Sequence, residues 1–569
     1  MVIDPMPFEG CQVFAQITQY LPIRSRTTLI NLMLALHIGV FLNIAVLWRN
    51  ASGQAPLATL TVAIALFGIN LALFTLLRGA GRIPFKVLAS LLVIFSSCAS
   101  YYMSFFNVVV GYGVIISTLT LDIDLSRESV GLGFLVWVLL TAIPPVYLLW
   151  RHDPAPMEST SHTPRTRRFI AHAMVFLLAV VFSAAALQIY KKLKGREAAA
   201  KNEYTASSLG IMAHSYVPTN WISGVALYGM ESANALSVDS TSLLVPSRTF
   251  NYQASSTMDD TYVVFVIGET TRHDHLGILG YTRDTTPLLS KETNLVALRG
   301  QACDTATKLS LRCMFVREHG TENNAQRTLK ERNVFYTLRD LGFSSELYSM
   351  QSEIWFYNSI RANKYEVREV IAADPANQNK RIDDMLLVDQ LQRSVAEHPK
   401  GKHLVVLHTK GSHYLYSQRY PADFRIYLPE CPGIDSPCGK TELVNSFDNS
   451  VRFIDHMLKN VFDQLRDKKA LVFFVADHGE SISENNHFHA TPREIAPPEQ
   501  FKVPVIVWAS DAFLADTKRK QGFEQLRALQ KSNSTVRHEE IFDSLLGCLG
   551  YASANGGINQ KNNWCAPGV

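Results

Sequence analysis

The stretch LVFFVADHGE (471–480) decides the fold, because it joins an apolar run directly to a cluster of charged residues. The six residues Leu471–Ala476 are all apolar and rich in Val and Phe, which predicts a strand buried on both faces. Asp477, His478 and Glu480 follow without a break. Such a strand is typical of a parallel sheet, where ligands bind at the carboxyl ends of the strands.

Three further apolar runs belong to the same domain, and two of them also end in polar residues. Thr261–Ile267 leads through a glycine to Glu269, and His403–Leu407 leads into the segment that contains His413. The fourth run, Val503–Trp508, has no such polar tail. Helical patterns separate the runs, so the sequence predicts an α/β domain with a mainly parallel central sheet. The polar groups would meet at one edge of that sheet.

Glu269, Asp477 and His478 offer two carboxylates and one imidazole, a plausible ligand set for a divalent metal, zinc first and manganese second. Water or a nucleophile would fill a fourth position. His413 and His489 are further candidates, each for a second metal or for a hydrogen bond to a phosphate oxygen. Taken alone, Glu269 is somewhat better explained as a carboxylate at a strand end or a cap. The adjacent Asp and His are the sharper signal.

The first third of the chain contains five runs without Asp, Glu, Lys or Arg, each long enough for the roughly 20 residues of a membrane-spanning helix. They are Thr28–Trp48, Leu57–Leu77, Val87–Phe106, Leu132–Trp150 and Phe169–Ile189. Core helices of a soluble protein are the alternative, but five such runs in series are typical of membrane proteins. A signal peptide is the alternative for the first run, which is too long for one and follows Arg24 and Arg26 as in a signal anchor.

Basic residues in the short loops predict the orientation of the spans. The flanks on one side carry Arg24, Arg26, Arg78, Arg82, Lys86, Arg151, Arg165, Arg167 and Arg168. The opposite loops carry only Arg49 and Arg127. The richer side is therefore cytoplasmic, and five crossings place everything after residue 190 outside the membrane.

Six of the eight cysteines form three close pairs: Cys303 with Cys313, Cys431 with Cys438, and Cys548 with Cys565. This spacing suits small disulfide loops, which persist in oxidising compartments. A metal cluster is the alternative, but the sequence contains no CxxC. Thiol spacing and loop charge thus independently place the C-terminal part outside.

Length and composition limit the remaining possibilities. The 569 residues carry 54 basic and 50 acidic side chains, a balance that excludes a nucleic-acid-binding footprint. We predict a transmembrane domain at 1–189, a connector along the membrane at 190–250, an outer domain at 251–569, and a monomer.

Four segments resemble the signature blocks of the bacterial phosphoethanolamine transferases, which include lipid A enzymes and the mobile colistin-resistance enzymes. They are VIGETTRHDHLGILGYTRDTTP (266–287), CDTATKLSLRCMF (303–315), HTKGSHYLYSQRYP (408–421) and ADHGESISENNHFHATP (476–492). The resemblance covers the five spans, the connector and an outer domain of the alkaline phosphatase and sulfatase type. It implies a zinc enzyme of the bacterial inner membrane with a periplasmic catalytic domain. That enzyme would transfer phosphoethanolamine from phosphatidylethanolamine to lipopolysaccharide.

The resemblance also implies roles for single residues. The metal ligands of the family fall on Glu269, Asp477 and His478. The nucleophilic threonine of the family lies six residues before the second of two bonded cysteines, and it falls on Thr307. The resemblance implies that the Thr307 oxygen is a further metal ligand. It also implies that this oxygen forms a covalent phosphoethanolamine intermediate.

Two positions near these motifs leave alternatives open. The two further active-site histidines of the family match His413 and His489, but the spacing after the Asp-His pair is about one residue short, which leaves His487 as a competitor. From the residues alone, Thr305 and Ser310 compete with the threonine that the resemblance selects.

The sequence beside the nucleophile departs from the lipid A enzymes. Where they read roughly TSTAYSVPCMF, this chain reads TATKLSLRCMF, which places Lys308 and Arg312 there. This resembles the branch that modifies the Kdo sugar of the inner core. The added positive charge could meet a carboxylate or phosphate of that acceptor.

Three other functions compete with this prediction. A phosphatase or a glycerophosphate polymerase of the same fold would use the same type of site. A membrane-anchored metal-binding sensor would keep the fold without catalysis. The complete set of Glu269, Thr307, Asp477 and His478 favours an enzyme.

Overall fold

The computed structural model describes residues 26–53, 56–119, 130–152, 165–201, 215–236, 250–317, 332–433, 438–482, 484, 488–493 and 495–566. The chain divides into two compact units. One lies within Met1–Gly111 and Val130–Gly224, and the other within Tyr112–Ser129 and Val225–Val569. The domain limits at 189 and 250 stay predictions.

The helices up to residue 236 are α1 (Arg26–Gly39), α2 (Ile44–Gly53), α3 (Pro56–Leu77), α4 (Arg82–Phe105), α5 (Tyr112–Leu119), α6 (Leu132–His152), α7 (Arg165–Lys201) and α8 (Thr219–Leu236). Five segments are long and apolar enough to span a membrane: Thr27–Ala51, Pro56–Ala80, Arg82–Phe105, Leu132–His152 and Phe169–Leu193. The five predicted spans are thereby confirmed. Arg24 and Arg127 of the charge argument lie outside the described residues.

The described residues of the second unit form ten strands: β1 (Gln253–Ala254), β2 (Thr261–Gly268), β3 (Leu295–Gln301), β4 (Ser344–Ser349), β5 (Lys364–Val367), β6 (His403–His408), β7 (Lys469–Ala476), β8 (Lys502–Ala509), β9 (Thr535–Arg537) and β10 (Tyr551–Ala552). Eight of them form one sheet in the order β5-β4-β6-β2-β7-β8-β3-β9. All neighbours are parallel except at β8, which is antiparallel to β7 and β3. The mainly parallel sheet is confirmed. The reversal of β8 explains its missing polar tail, because its carboxyl end lies at the other edge.

Helices cover both faces of this sheet. They are α9 (Thr307–Cys313), α10 (Val334–Asp340), α11 (Ile354–Ile360), α12 (Arg368–Ala373), α13 (Met385–Glu397), α14 (Lys440–Leu465), α15 (Asp511–Leu514), α16 (Thr517–Ser532) and α17 (Ile541–Cys548). Alternate residues of β2 enter two separate cores: Val263 and Phe265 pack with side chains of α17, and Val264 and Val266 pack with those of α14. Burial on both faces accounts for the continuous apolar strands.

All three predicted disulfides are present in the second unit. They join Cys303 to Cys313, Cys431 to Cys438, and Cys548 to Cys565. The first of them encloses the start of α9, and the third lies at the end of α17.

Candidate active site

The carboxyl ends of three neighbouring strands bring the predicted ligands together. Strand β2 pairs with β6 and β7, and Gly268 at its end lies beside Ala476 at the end of β7. The next residues along these strands, Glu269 and Asp477, therefore enter the same space, followed by His478. One ligand atom of each lies within 4.8 Å of the others. We call these three side chains the catalytic-edge cluster.

The distances within this cluster are short and its members are fully buried. His478 Nε2 lies 3.4 Å from Glu269 Oε1 and 3.5 Å from Asp477 Oδ2. His478 Nδ1 lies 2.8 Å from the carbonyl oxygen of Gly479, which accepts only, so Nδ1 carries the proton and Nε2 offers its lone pair. All three donors thus point at one spot.

Thr307 is the candidate nucleophile that reaches this spot. It begins α9, which follows β3, and its Oγ donates to Glu269 Oε2 at 3.0 Å and lies 3.3 Å from His478 Nε2. The competing Thr305 donates instead to the carbonyl oxygen of Thr491 at 2.6 Å. Geometry therefore favours Thr307, although its role stays a prediction.

His413 and His489 both lie next to the cluster. The His489 ring centroid is 4.5 Å from that of His478 and 5.5 Å from that of His413. His489 Nδ1 lies 3.3 Å from Glu480 Oε1. The competitor His487 lies outside the described residues.

Gly411 holds the His413 loop against Glu269. Its φ is +50°, and a Cβ at this position would lie 2.6 Å from the Glu269 carbonyl oxygen. The amides of Lys410 and Gly411 donate to the buried Asp384 carboxylate at 2.7 and 2.9 Å. A side chain at position 411 would therefore push this loop out of place.

Burial controls the electrostatics of the cluster. Burial, together with the charge of Asp477, raises the pKa of Glu269 to about 7. Burial also raises the pKa of Asp477 to about 7, and it lowers the pKa of His478 to about 4. Glu269 and Asp477 therefore still hold protons near neutral pH, beside a neutral imidazole. A cation bound between them would favour the loss of these protons, because a nearby positive charge stabilises ionised carboxylates.

These residues fit a divalent cation. Asp477 Oδ2 is buried and has no hydrogen-bond partner among the described residues, although it faces His478 and the space beside Thr307. A buried carboxylate oxygen that lacks a hydrogen-bond partner among the described residues, next to a second carboxylate and an imidazole, is typical of a metal ligand without its ion. The set suits zinc and also other divalent ions.

One contact of the site escaped the sequence prediction. Gln351 Nε2 donates to Glu269 Oε2 at 2.8 Å, and Gln351 is itself buried. It lies two residues after the end of β4, the neighbour of β6 on the side away from β2. A short strand followed by a polar residue is the signal that could have found it.

The two basic residues beside the nucleophile are buried, and Arg312 has aromatic rings beside it. The Arg312 guanidinium carbon lies 5.9 Å from the ring centres of both Tyr112 and Trp355. Lys308 Nζ lies 3.9 Å from Glu353 Oε2. Tyr112 belongs to α5, which packs on α9 and so forms part of this unit. Contact with an acceptor stays a prediction for both cations.

Comparisons with known proteins agree with this geometry. A model of the family "Phosphoethanolamine transferase EptA/EptB" matches residues 64–195, and the sulfatase model matches residues 261–551. Kdo(2)-lipid A phosphoethanolamine 7''-transferase of Salmonella typhimurium (strain LT2) is 50% identical over 94% of this chain and 96% of that protein. The protein of the same name from Escherichia coli (strain K12) is 49% identical over the same shares.

A solved structure shares the fold of the whole chain. It is the integral membrane lipooligosaccharide phosphoethanolamine transferase A (EptA) from Neisseria meningitidis, which is 22% identical and matches with a TM-score of 0.78 over 94% of this chain and 97% of that one. The predicted fold class, enzyme class and inner-membrane location with a periplasmic catalytic domain are confirmed. By sequence identity, family models and topology, the chain belongs to the bacterial phosphoethanolamine transferases.

Proposed function

We propose that this enzyme transfers phosphoethanolamine from phosphatidylethanolamine to the Kdo sugar of Kdo2-lipid A, through an intermediate on Thr307. The proposal depends mainly on the position of the Thr307 hydroxyl. It lies 3.0 Å from Glu269 Oε2 and 3.3 Å from His478 Nε2, in the buried cluster where a nucleophile could be activated. Relatives that are 50% and 49% identical are named for Kdo(2)-lipid A, which supports the acceptor.

The residues of this chain account for both halves of a two-step transfer. In the first step, Thr307 Oγ forms a bond to phosphorus while the phosphorus–oxygen bond to diacylglycerol breaks. Thr307 Oγ gives up its proton, and the departing oxygen of diacylglycerol takes one up. In the second step, the acceptor hydroxyl oxygen forms a bond to phosphorus and loses its proton, while the bond to Thr307 Oγ breaks and that oxygen takes a proton back. The net exchange conserves the phosphodiester and needs no other reactant.

Thr307 needs help, because a free hydroxyl is a poor nucleophile near neutral pH. A divalent cation held by Glu269, Asp477 and His478, which we propose to be zinc, would supply Lewis-acid stabilisation of the deprotonated hydroxyl. Gln351 holds Glu269 Oε2 in place by its hydrogen bond of 2.8 Å.

His413 and His489 are the groups placed to move protons. Burial lowers the pKa of both, so their rings are neutral at neutral pH and one nitrogen of each can hold or accept a proton. The Glu480 carboxyl fixes His489 at Nδ1, which leaves the opposite nitrogen of the ring for the substrate. Transfer of this kind depends mainly on such positioning and on neutralising oxygen charge.

Two measurements test the proposal. Release of diacylglycerol from a fluorescent phosphatidylethanolamine reports the first step, and mass spectrometry of lipopolysaccharide from cells with and without the protein reports the second. We expect both signals, with fragmentation placing the added phosphoethanolamine on Kdo. Phosphoethanolamine found on lipid A phosphate would overturn the acceptor, and no diacylglycerol release would overturn the donor.

A further inference from the structure

A buried histidine, His538, lies at the same edge of the sheet as the catalytic-edge cluster. It directly follows β9, which is parallel to β3 and pairs its last residue, Arg537, with Gln301 at the end of β3. Strands β3 and β7 are each antiparallel to β8, so they run in the same direction and end at the same edge. The His538 side chain therefore begins where the chain segments of the active site leave the sheet.

Each nitrogen of the His538 ring contacts a different one of these segments. Nε2 lies 3.0 Å from the carbonyl oxygen of Ala476, in what we call the metal-ligand segment (476–478). Nδ1 accepts a hydrogen bond of 3.3 Å from the amide of Cys303, in what we call the nucleophile segment (303–307). One side chain thus joins the backbones of the two segments.

The two partners fix one protonation state of the His538 ring. A carbonyl oxygen can only accept and a backbone amide can only donate, so Nε2 carries the proton and Nδ1 keeps its lone pair. A second proton, on Nδ1, would break the bond to Cys303. Burial lowers the pKa of His538 to about 3, so the ring is neutral and keeps both bonds near neutral pH.

Other contacts hold each segment separately. In the nucleophile segment, Thr305 Oγ donates to the Thr491 carbonyl oxygen and its own carbonyl accepts from the Ala490 amide, both at 2.6 Å. In the metal-ligand segment, the Asp477 amide donates to the Gly268 carbonyl oxygen at 2.9 Å. None of these three bonds joins one segment to the other, whereas the two bonds of His538 together do.

We propose that His538 is a positioning residue that sets the distance between Thr307 Oγ and the catalytic-edge cluster, by holding Cys303 and Ala476 at the same time. The inference rests on the proposed role of Thr307 as the nucleophile. Thr307 Oγ lies 3.3 Å from His478 Nε2, and a misplacement of about 1 Å can cost about 100-fold in rate. Loss of either bond should therefore slow the attack on phosphorus, while the sheet keeps the metal ligands in place.

The test uses two variants of the full-length protein in detergent with zinc, each of which keeps one bond. His538→Gln places an amide near the Nε2 position, where it can donate to Ala476, and His538→Asn places one near the Nδ1 position, where it can accept from Cys303. We expect kcat for diacylglycerol release, per folded and zinc-loaded chain, to fall about 10- to 100-fold in both variants. The KM for fluorescent phosphatidylethanolamine should stay within about 2-fold of wild type.

Two further measurements show whether His538 acts as a link. Intact-mass spectrometry of a single turnover should show slower formation of the phosphoethanolamine adduct on Thr307 in both variants. His538→Leu, which removes both bonds, should lower kcat no further than the more impaired of the two variants, because breaking either end already breaks the link.

The matched controls are His403→Gln and His403→Asn. His403 is as buried as His538, and its two ring nitrogens each lie 2.7 Å from a serine hydroxyl, of Ser344 and of Ser394, at the start of β6. These controls should lower the melting temperature and keep the kcat of each folded chain, because they disturb a buried ring away from the catalytic edge.

Three results would overturn the inference. The first is unchanged kcat in both His538→Gln and His538→Asn, with melting temperatures lowered as in the controls. The second is a loss in His538→Leu equal to the product of the two separate losses. The third is an adduct on Thr307 that forms as fast in the variants as in wild type. Absence of any adduct in the wild type would overturn the proposed function as well, which distinguishes the two failures.

Discussion

The catalytic-edge cluster and a second group at the opposite edge of the sheet, Glu346, His398 and His403, hold the same kinds of side chains, yet their hydrogen bonds differ. We call the second group the far-edge cluster. At the catalytic edge, burial raises the pKa of Glu269 and Asp477 to about 7, and one Asp477 oxygen has no hydrogen-bond partner among the described residues. At the far edge, two hydroxyls lower the pKa of Glu346. The first cluster also holds the Thr307 hydroxyl. The two clusters thus contain the same kinds of side chains, and the hydrogen bonds around their carboxylates are what distinguishes the site with the candidate nucleophile from the one without it.

The largest effect should come from removing the candidate nucleophile of the catalytic-edge cluster, the Thr307 hydroxyl. Thr307→Ala should lower transfer by at least about 10³-fold, because no other group takes over a lost nucleophile. Zinc content and melting temperature should stay near wild type. Thr307→Ser, which keeps a hydroxyl, is the control and should retain measurable transfer. Full diacylglycerol release by Thr307→Ala would reject the nucleophile.

The next effect concerns the metal at the catalytic edge. Asp477→Asn should weaken zinc binding at the catalytic edge by about 100-fold or more and abolish transfer with it, since it removes an anionic ligand. His478→Ala should do the same. Elemental analysis decides the matter, and an unchanged metal count in both would speak against the catalytic-edge ligands.

Acid should distinguish the clusters as well. With pKa values raised to about 7, Glu269 and Asp477 are protonated below that pH and must lose both protons to bind a cation. Zinc affinity at the catalytic edge should therefore fall by up to about 100-fold for each unit of pH below 7, and level off above 8. Glu346 of the far-edge cluster, whose pKa is lowered, stays ionised over the same range. Competition titrations with a zinc indicator across this pH range, in wild type and with Asp477→Asn as the control, measure the loss at the catalytic edge.

The sequence predicted one edge of the sheet far better than the other, for a physical reason. At the catalytic edge, long apolar strands run directly into Glu269 and Asp477, so strand pattern and ligand type reinforce each other. The far edge lies at the beginnings of strands, where His403 reads as part of an apolar run and Glu346 lies inside a short, mixed strand. Sequence periodicity does not show which strands become neighbours, and that pairing creates the cluster.

Gln351 was missed for a related reason, because β4 contains too many polar residues to show a clear strand pattern. Removing the contact of Gln351 with Glu269 should have the smallest effect. Gln351→Met should keep the shape and remove the 2.8 Å hydrogen bond to Glu269 Oε2. A hydrogen bond to a charged group is worth about 1.5 kcal/mol or more, so transfer should fall about 10-fold. Zinc binding should weaken modestly, because Glu269 loses its anchor while Asp477 and His478 remain.

The far-edge cluster contains a contact that corresponds to the one between Gln351 and Glu269. The Tyr348 hydroxyl donates a hydrogen bond of 2.8 Å to Glu346 Oε2. Tyr348→Phe should leave transfer unchanged, while Gln351→Met should lower it. A loss of transfer in Tyr348→Phe equal to that in Gln351→Met would mean that the two edges are coupled through β4 and β6. The hydrogen bonds around each carboxylate would then no longer explain the difference between the clusters.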